Sequence, residues 1–266
     1  MVSKLSIVFM VFSVLISIVA PIGGVVFLKK KYNTSLKIFF IGALAFFISV
    51  QLLEAPIHLY FLKLNSTTAE FLLNNPIAYM LYGGLMAGIF EETARLISFK
   101  FIIKDRDTLS GITYGVGHGG IEAILVGGIS SINLIINSVL INKGTFQSTM
   151  ENALVSSDII STTYNQFVNS SAIMWAMPGI ERIMAMAIQI ALSIIVLYAV
   201  KERKYIYYII AILLHALIDF PAVLYQVGVI KNVFFVEGII FIVAVLINIY
   251  VFKKIIRKFN INNEIL

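Results

Sequence analysis

The sequence predicts an all-α fold, a polytopic transmembrane helical bundle of about seven spans, with the N-terminus outside and the C-terminus inside. Three observations predict it. Apolar residues make up 59% of the 266-residue chain and charged residues 13%, with a mean hydropathy of +0.95, whereas soluble domains run near half apolar and a quarter charged. The apolar residues gather into runs of about 20 or more, the length a helix needs to cross a bilayer. Lys and Arg sit at the ends of those runs and alternate in abundance from one connection to the next.

The runs fall at Leu5–Leu28, Leu36–Leu62, Ile77–Ile103, Ile112–Leu140, Pro178–Val200, Tyr205–Val229 and Val233–Phe252. The first resembles a secretory leader, but its apolar core is too long. The run Lys29, Lys30, Lys31 follows as a stop-transfer signal, so an uncleaved first span is expected. The break after Tyr32 is short, which makes the first two spans a tight hairpin. With the N-terminus outside, the inner connections hold Lys29, Lys30, Lys31, Lys37, Lys100, Lys104, Arg106, Lys201, Arg203, Lys204, Lys253, Lys254, Arg257 and Lys258. The outer ones hold only Lys4, Lys63, Lys143 and Lys231. That bias sets the orientation, because basic residues stay on the inner side.

A pI near 9.4 and a net charge of +6 come from these span ends and from no basic face, so nucleic acid is not an expected partner. The absence of Cys excludes thiolate chemistry and disulfides. Residues 1–266 read as a single membrane-embedded domain, at home in the cell membrane. Its one long connection, 141–177, is rich in Ser, Thr and Asn and carries Trp175. It is expected as a partly ordered extracytoplasmic loop or cap.

Glu91, Glu92, Arg95, His118, Glu122, His215 and Asp219 lie well inside the third, fourth and sixth runs. Each charge at the bilayer centre costs about 2.5–3.5 kcal/mol. The group is tolerable only if its members face one another inside the bundle. Counted from the inner span ends at about 1.5 Å per residue, Glu91, His118 and His215 all lie about 15 Å deep. His118 and Glu122 are four residues apart, as are His215 and Asp219, and Glu91 and Arg95. Residues at that spacing share a helix face, so each imidazole has a carboxylate one turn away to fix its tautomer. Gly115, Gly117, Gly119 and Gly120 allow close helix approach around His118. Four carboxylates against one arginine cannot all stay ionised in a low-dielectric pocket. A carboxylate sharing a proton is suited to act as a base toward water, and imidazole N–H groups can stabilise an oxyanion. Glu54 and His58, and Glu181 and Arg182, lie near outer span ends and read as braces or as a gate.

At these residues the chain resembles the glutamic-type intramembrane proteases, most closely the YhfC group of membrane peptidases. The superfamily also holds the CAAX prenyl proteases, the bacteriocin-processing membrane proteins and the PrsW proteases. The paired-glutamate motif is Glu91-Glu92-Thr93-Ala94-Arg95, the second is Tyr114-Gly115-Val116-Gly117-His118 running on to Glu122, and the third is His215-Ala216-Leu217-Ile218-Asp219. The order matches, over roughly Ile77 to Val229. The CAAX group spaces its arginine one residue further from the glutamates, Tyr114 stands where Phe is usual, and Glu122 is similar to the glutamate of the PrsW second motif. The substrate of either branch therefore does not carry over.

The resemblance implies that the Glu91–Glu92 pair supplies the base that activates water, Glu91 in the first place and Glu92 as the alternative, with Arg95 anchoring the pair. It implies that His118 and His215 hold the water and the oxyanion, that Asp219 orients His215, and that Glu122 and Tyr114 support them. The implied substrate is a membrane-anchored or hydrophobic peptide or protein, and no cofactor is implied. Two other readings stay open. A divalent metal such as zinc is chemically reasonable on His118, His215 and Glu91, although no His-Glu-x-x-His motif occurs. A proton-coupled transporter, or a non-catalytic immunity or adaptor protein, is the alternative of another class.

Overall fold

A computed structural model of the chain describes residues 1–258. Among the described residues the backbone is helical almost throughout, with no strand. The helices are α1 (Lys4–Tyr32), α2 (Leu36–Leu64), α3 (Ser66–Asn74), α4 (Pro76–Ile97, continued by a wider turn at Ser98–Ile102), α5 (Thr108–Lys143), α6 (Phe146–Asn152), α7 (Ser157–Asn169), α8 (Ala172–Lys201), α9 (Ile206–Gln226) and α10 (Val233–Ile256). Six of them, α1, α2, α5, α8, α9 and α10, are long and apolar enough to cross a membrane. The seventh run read from the sequence is α4, a helix of comparable length whose apolar character is diluted by Glu91, Glu92, Arg95 and Lys100.

Local chemistry sets the ends. Asn75 Oδ1 accepts from the backbone N–H of Ala78 at 3.2 Å, and Pro76 occupies the first turn, so α4 begins there. Asp107 Oδ1 accepts from Ser110 N–H at 2.6 Å and starts α5. Gly144, at φ +74°, ends it in the left-handed conformation that a glycine adopts without strain. Within α2 the backbone widens to a π-helical turn over Phe47–Glu54, just ahead of Pro56. Proline lacks the N–H that would close a regular turn and its ring crowds the carbonyl four residues back. The widened turn accommodates both.

The chain forms two compact units. One comprises Met1–Ala20 and Ala123–Ile183, the other Pro21–Glu122 and the chain from Met184 onward. In the first, the long connection expected to be partly ordered forms α6 and α7 and the start of α8. Phe146, Ile160, Phe167 and Trp175 turn inward against Met10 and Ile141. Their spacing in a Ser/Thr/Asn-rich stretch leaves one narrow apolar face, which composition alone hides. Ser13 Oγ donates to the Trp175 carbonyl at 2.8 Å and accepts from Gly179 N–H at 3.1 Å, tying α1 to α8.

In the second unit α8 is the central helix. In its most apolar stretch 78% of the residues are buried inside the protein, against 22–28% for the other spans, and every residue from Ala191 to Val200 is buried. α2 lies along the first half of α5, and α4 lies along α9. Glycine sets both contacts. A methyl group on Gly117 of α5 would stand 2.0 Å from the Phe39 carbonyl oxygen of α2, and one on Gly88 of α4 would stand 2.7 Å from that of Ile212 on α9. Lipid is as apolar as a leucine side chain, so helices in a membrane gain most from this close backbone approach. The approach brings His118 and Glu91 to the inside.

Candidate active site

The polar cluster is assembled on four helices of this second unit. Glu91, Glu92 and Arg95 come from α4, His118 and Glu122 from α5, His215 and Asp219 from α9, and Gln189 and Ser193 from α8. Glu92, Arg95 and His118 are 0% exposed, and Glu91 and His215 are 6% and 4%. The eight residues expected to form or support the site all contribute to this one neighbourhood.

Its centre is the Glu91 carboxylate. His118 Nε2 lies 2.8 Å from Oε2, and His215 Nε2 lies 3.7 Å from Oε1. Gln189 Nε2 donates to the same Oε2 at 3.2 Å and to Glu122 Oε2 at 2.6 Å. Glu92 plays a different part. Its Oε1 meets both the Arg95 guanidinium and His215 Nδ1, the latter at 2.7 Å. A carboxylate paired with arginine only accepts, so His215 carries a proton on Nδ1, while its Nε2 faces Glu91.

Arg95 is a wholly buried cation, and each part of its fork is occupied. Nη1 meets Glu92, Nη2 meets the Gln189 side-chain oxygen, and Nε donates to Ser193 Oγ at 3.3 Å. Nη2 is also 3.6 Å from Glu91 Oε2. Bonding of this completeness is what makes an ion pair tolerable without water. Tyr114 stacks along the His118 ring at a centroid distance of 5.9 Å, and Phe46 meets that ring edge-on at 5.2 Å. Tyr114 OH reaches Ser98 Oγ at 3.4 Å. The two aromatic rings hold the imidazole plane from two sides, while His118 Nδ1 is buried without a hydrogen-bond partner.

The same-helix pairs read from the four-residue spacing are not the hydrogen bonds that form. Asp219 Oδ2 is 3.6 Å from His215 Nε2, beyond bonding distance, and Glu92 holds that ring at Nδ1 instead. Glu122 bonds to Gln189, and the carboxylate at His118 is Glu91. In each case the ring turns to a carboxylate of α4 and not to the one on its own helix.

Gln189 and Ser193 were not singled out from the sequence. They are uncharged and stand four apart inside the run Ile188–Val200, and the signal that marks them is a polar face on an otherwise apolar span. Glu54 Oε1 lies 2.9 Å from His58 Nε2, whose Nδ1 lies 2.9 Å from Tyr82 OH. Glu181 pairs with Arg182 in the first unit.

Two imidazoles and a carboxylate are a donor set suited to zinc. Donors of a tetrahedral ion with bonds of 2.0–2.1 Å stand about 3.3 Å apart, between the two separations at Glu91. A ligating histidine usually bonds a carboxylate through its other nitrogen, as His215 does with Glu92. The residues therefore fit the ion in kind, although among the described residues no three such donors are gathered as a formed metal site.

Fold and cluster together define the class: an integral, multi-pass, all-α membrane protein with acid and histidine side chains converging inside its helices. A model of the family described as YhfC intramembrane metalloprotease matches residues 16–240. The chain belongs to the YhfC family. It is 45% identical over 260 residues, 97% of this chain and 100% of the relative, to the uncharacterized membrane protein YhfC of Bacillus subtilis (strain 168). No solved structure matches it. The family description supports a membrane protease.

Proposed function

We propose that the protein is an intramembrane endopeptidase that hydrolyses a peptide bond of a membrane-anchored or hydrophobic peptide or protein, with Glu91 as the group that activates water. The observation that carries the reading is that Glu91 faces the Nε2 atoms of two histidines from two other helices, at 2.8 and 3.7 Å, with all three residues buried. His215, protonated at Nδ1 against Glu92, offers its Nε2 lone pair to one hydrogen of the water. Glu91 removes the other hydrogen as the water oxygen adds to the carbonyl carbon. His118, donating from Nε2, turns to the oxygen on which negative charge develops. The proton then passes from Glu91 to the leaving nitrogen, the C–N bond breaks to leave a carboxylic acid and an amine, and the acid's proton passes to the amine to give a carboxylate and an ammonium. Arg95 and Gln189 keep Glu91 and Glu92 in place.

The family description and the donor set favour a second reading of the same residues, with His118, His215 and Glu91 as ligands of a divalent ion such as zinc. The ion would polarise the carbonyl and acidify the attacking water. In either reading, protein purified into lipid vesicles cleaves a membrane-anchored test peptide, and Glu91→Gln or His215→Ala abolishes cleavage. Chelator leaves the activity intact in the first reading. In the second it removes activity, zinc restores it, and His118→Ala loses the bound ion. Proton-driven flux without any cleavage would overturn both.

A further inference from the structure

A cavity of about 410 Å³ opens beside the catalytic cluster in the same unit, lined by Glu54, His58, Tyr82, Ala87, Asp219, Val223 and their neighbours. It begins one helical turn from the site, since Ala87 precedes Glu91 by four residues and Asp219 follows His215 by four. From there it runs toward Tyr79 and Gln226, about 10 Å along the helices at 1.5 Å per residue. Two carboxylates line it, and no Lys or Arg does. Glu54 is 4% exposed. Its Oε1 is taken by His58, but Oε2 is buried with no hydrogen-bond partner. Asp219 keeps 34% of its side chain accessible. Glu54 closes the widened turn of α2 and is buried together with Ser49 of the same turn.

We propose that this cavity is a subsite for a primary ammonium group of the substrate, a lysine side chain or a free amino terminus. The proposal rests on the peptidase reading and adds a substrate class to it. A buried, unpartnered carboxylate oxygen needs a donor, and two acidic side chains whose basic neighbours are the imidazoles of His58 and His215, with no lysine or arginine in the lining, favour a donor that carries positive charge. A hydroxyl or an amide would satisfy the oxygen but leave the charge. An extended chain advances about 3.3 Å per residue, and Asp219 stands one helical turn, about 6 Å, beyond the level of His215, so an ammonium seated at this near end of the cavity belongs to a residue about two positions from the bond that is cut. Bound there, it fixes the register of an otherwise featureless apolar peptide.

The test is equilibrium binding of three membrane peptides to the full-length protein in lipid nanodiscs. One has an acetylated amino terminus and no lysine, one is acetylated with a single lysine, and one has a free amino terminus and no lysine. Wild type is expected to bind an amine-bearing peptide at least about ten-fold more tightly than the neutral one, the scale of a hydrogen bond to a charged group. Glu54→Gln, which keeps the side chain's size, should bring the ratio below about two-fold, and Glu54→Asp, which keeps its charge, should preserve most of it. The arm that shows the preference identifies the source of the amine. Equal binding of all three peptides to wild type, or a preference that survives Glu54→Gln, overturns the subsite. Cleavage of the same peptides is scored separately. Cleavage without discrimination sinks the subsite and leaves the peptidase standing, while amine-dependent binding without cleavage sinks the peptidase and leaves the subsite.

Discussion

Glu92 Oε1 lies 2.7 Å from His215 Nδ1 on a neighbouring helix, while Asp219, one turn along His215's own helix, stands 3.6 Å from the other ring nitrogen. The same Glu92 oxygen also meets Arg95. One carboxylate therefore sets the tautomer of a site histidine and neutralises the only arginine in the cluster.

Glu92→Gln removes the charge that neutralises a buried cation and weakens the one oxygen that accepts from both Arg95 and His215. The protein should lose about 3–5 kcal/mol of stability and about 100-fold or more in activity as His215 drifts from its alignment. Asp219→Asn, which breaks no bond at hydrogen-bonding distance, should cost less than about 10-fold. Thermal unfolding in detergent and peptide cleavage by the two variants check this. Equal losses in both would assign the orienting role back to Asp219.

Gln189 touches Glu91, Glu122 and Arg95 at once. Gln189→Leu should lower stability by about 2–3 kcal/mol, the cost of leaving charged groups without a partner. Gln189→Glu should restore the contact to Arg95 but set a like charge against Glu91 and Glu122. The melting temperatures of the two variants, and their cleavage rates, separate packing from charge.

Gly117→Ala places a methyl 2.0 Å from the Phe39 carbonyl oxygen, where only movement of a whole helix can relieve the contact. A loss of about 3 kcal/mol or more is expected, with activity falling alongside because His118 is the next residue. Gly23→Ala, with nothing within 4 Å of the added carbon, should match or slightly exceed wild-type stability. Folded yield and melting temperature read both.

Much of this was legible beforehand because the bilayer is a demanding solvent. The spans show as apolar runs, and Glu91, His118 and His215 stand out because an ionisable residue in such a run needs a partner in the bundle. Partner choice was not legible. Whether His215 bonds Asp219 or Glu92 depends on the rotation of α9 against α4, which the packing at Gly84 and Gly88 sets. Gln189 carries no charge and gave no alarm. α7 escaped because its inward residues Ile160 and Phe167 are diluted by Ser, Thr and Asn.

The most direct measurement is mass spectrometry of the products formed from a membrane-anchored peptide in water enriched in oxygen-18. Wild-type protein should yield two fragments, with a single heavy oxygen in the newly formed carboxyl group. Glu91→Gln, folded to the same melting temperature, should yield none. A peptide left whole by wild type, or labelled fragments formed at an unchanged rate by Glu91→Gln, would contradict a hydrolytic site centred on Glu91.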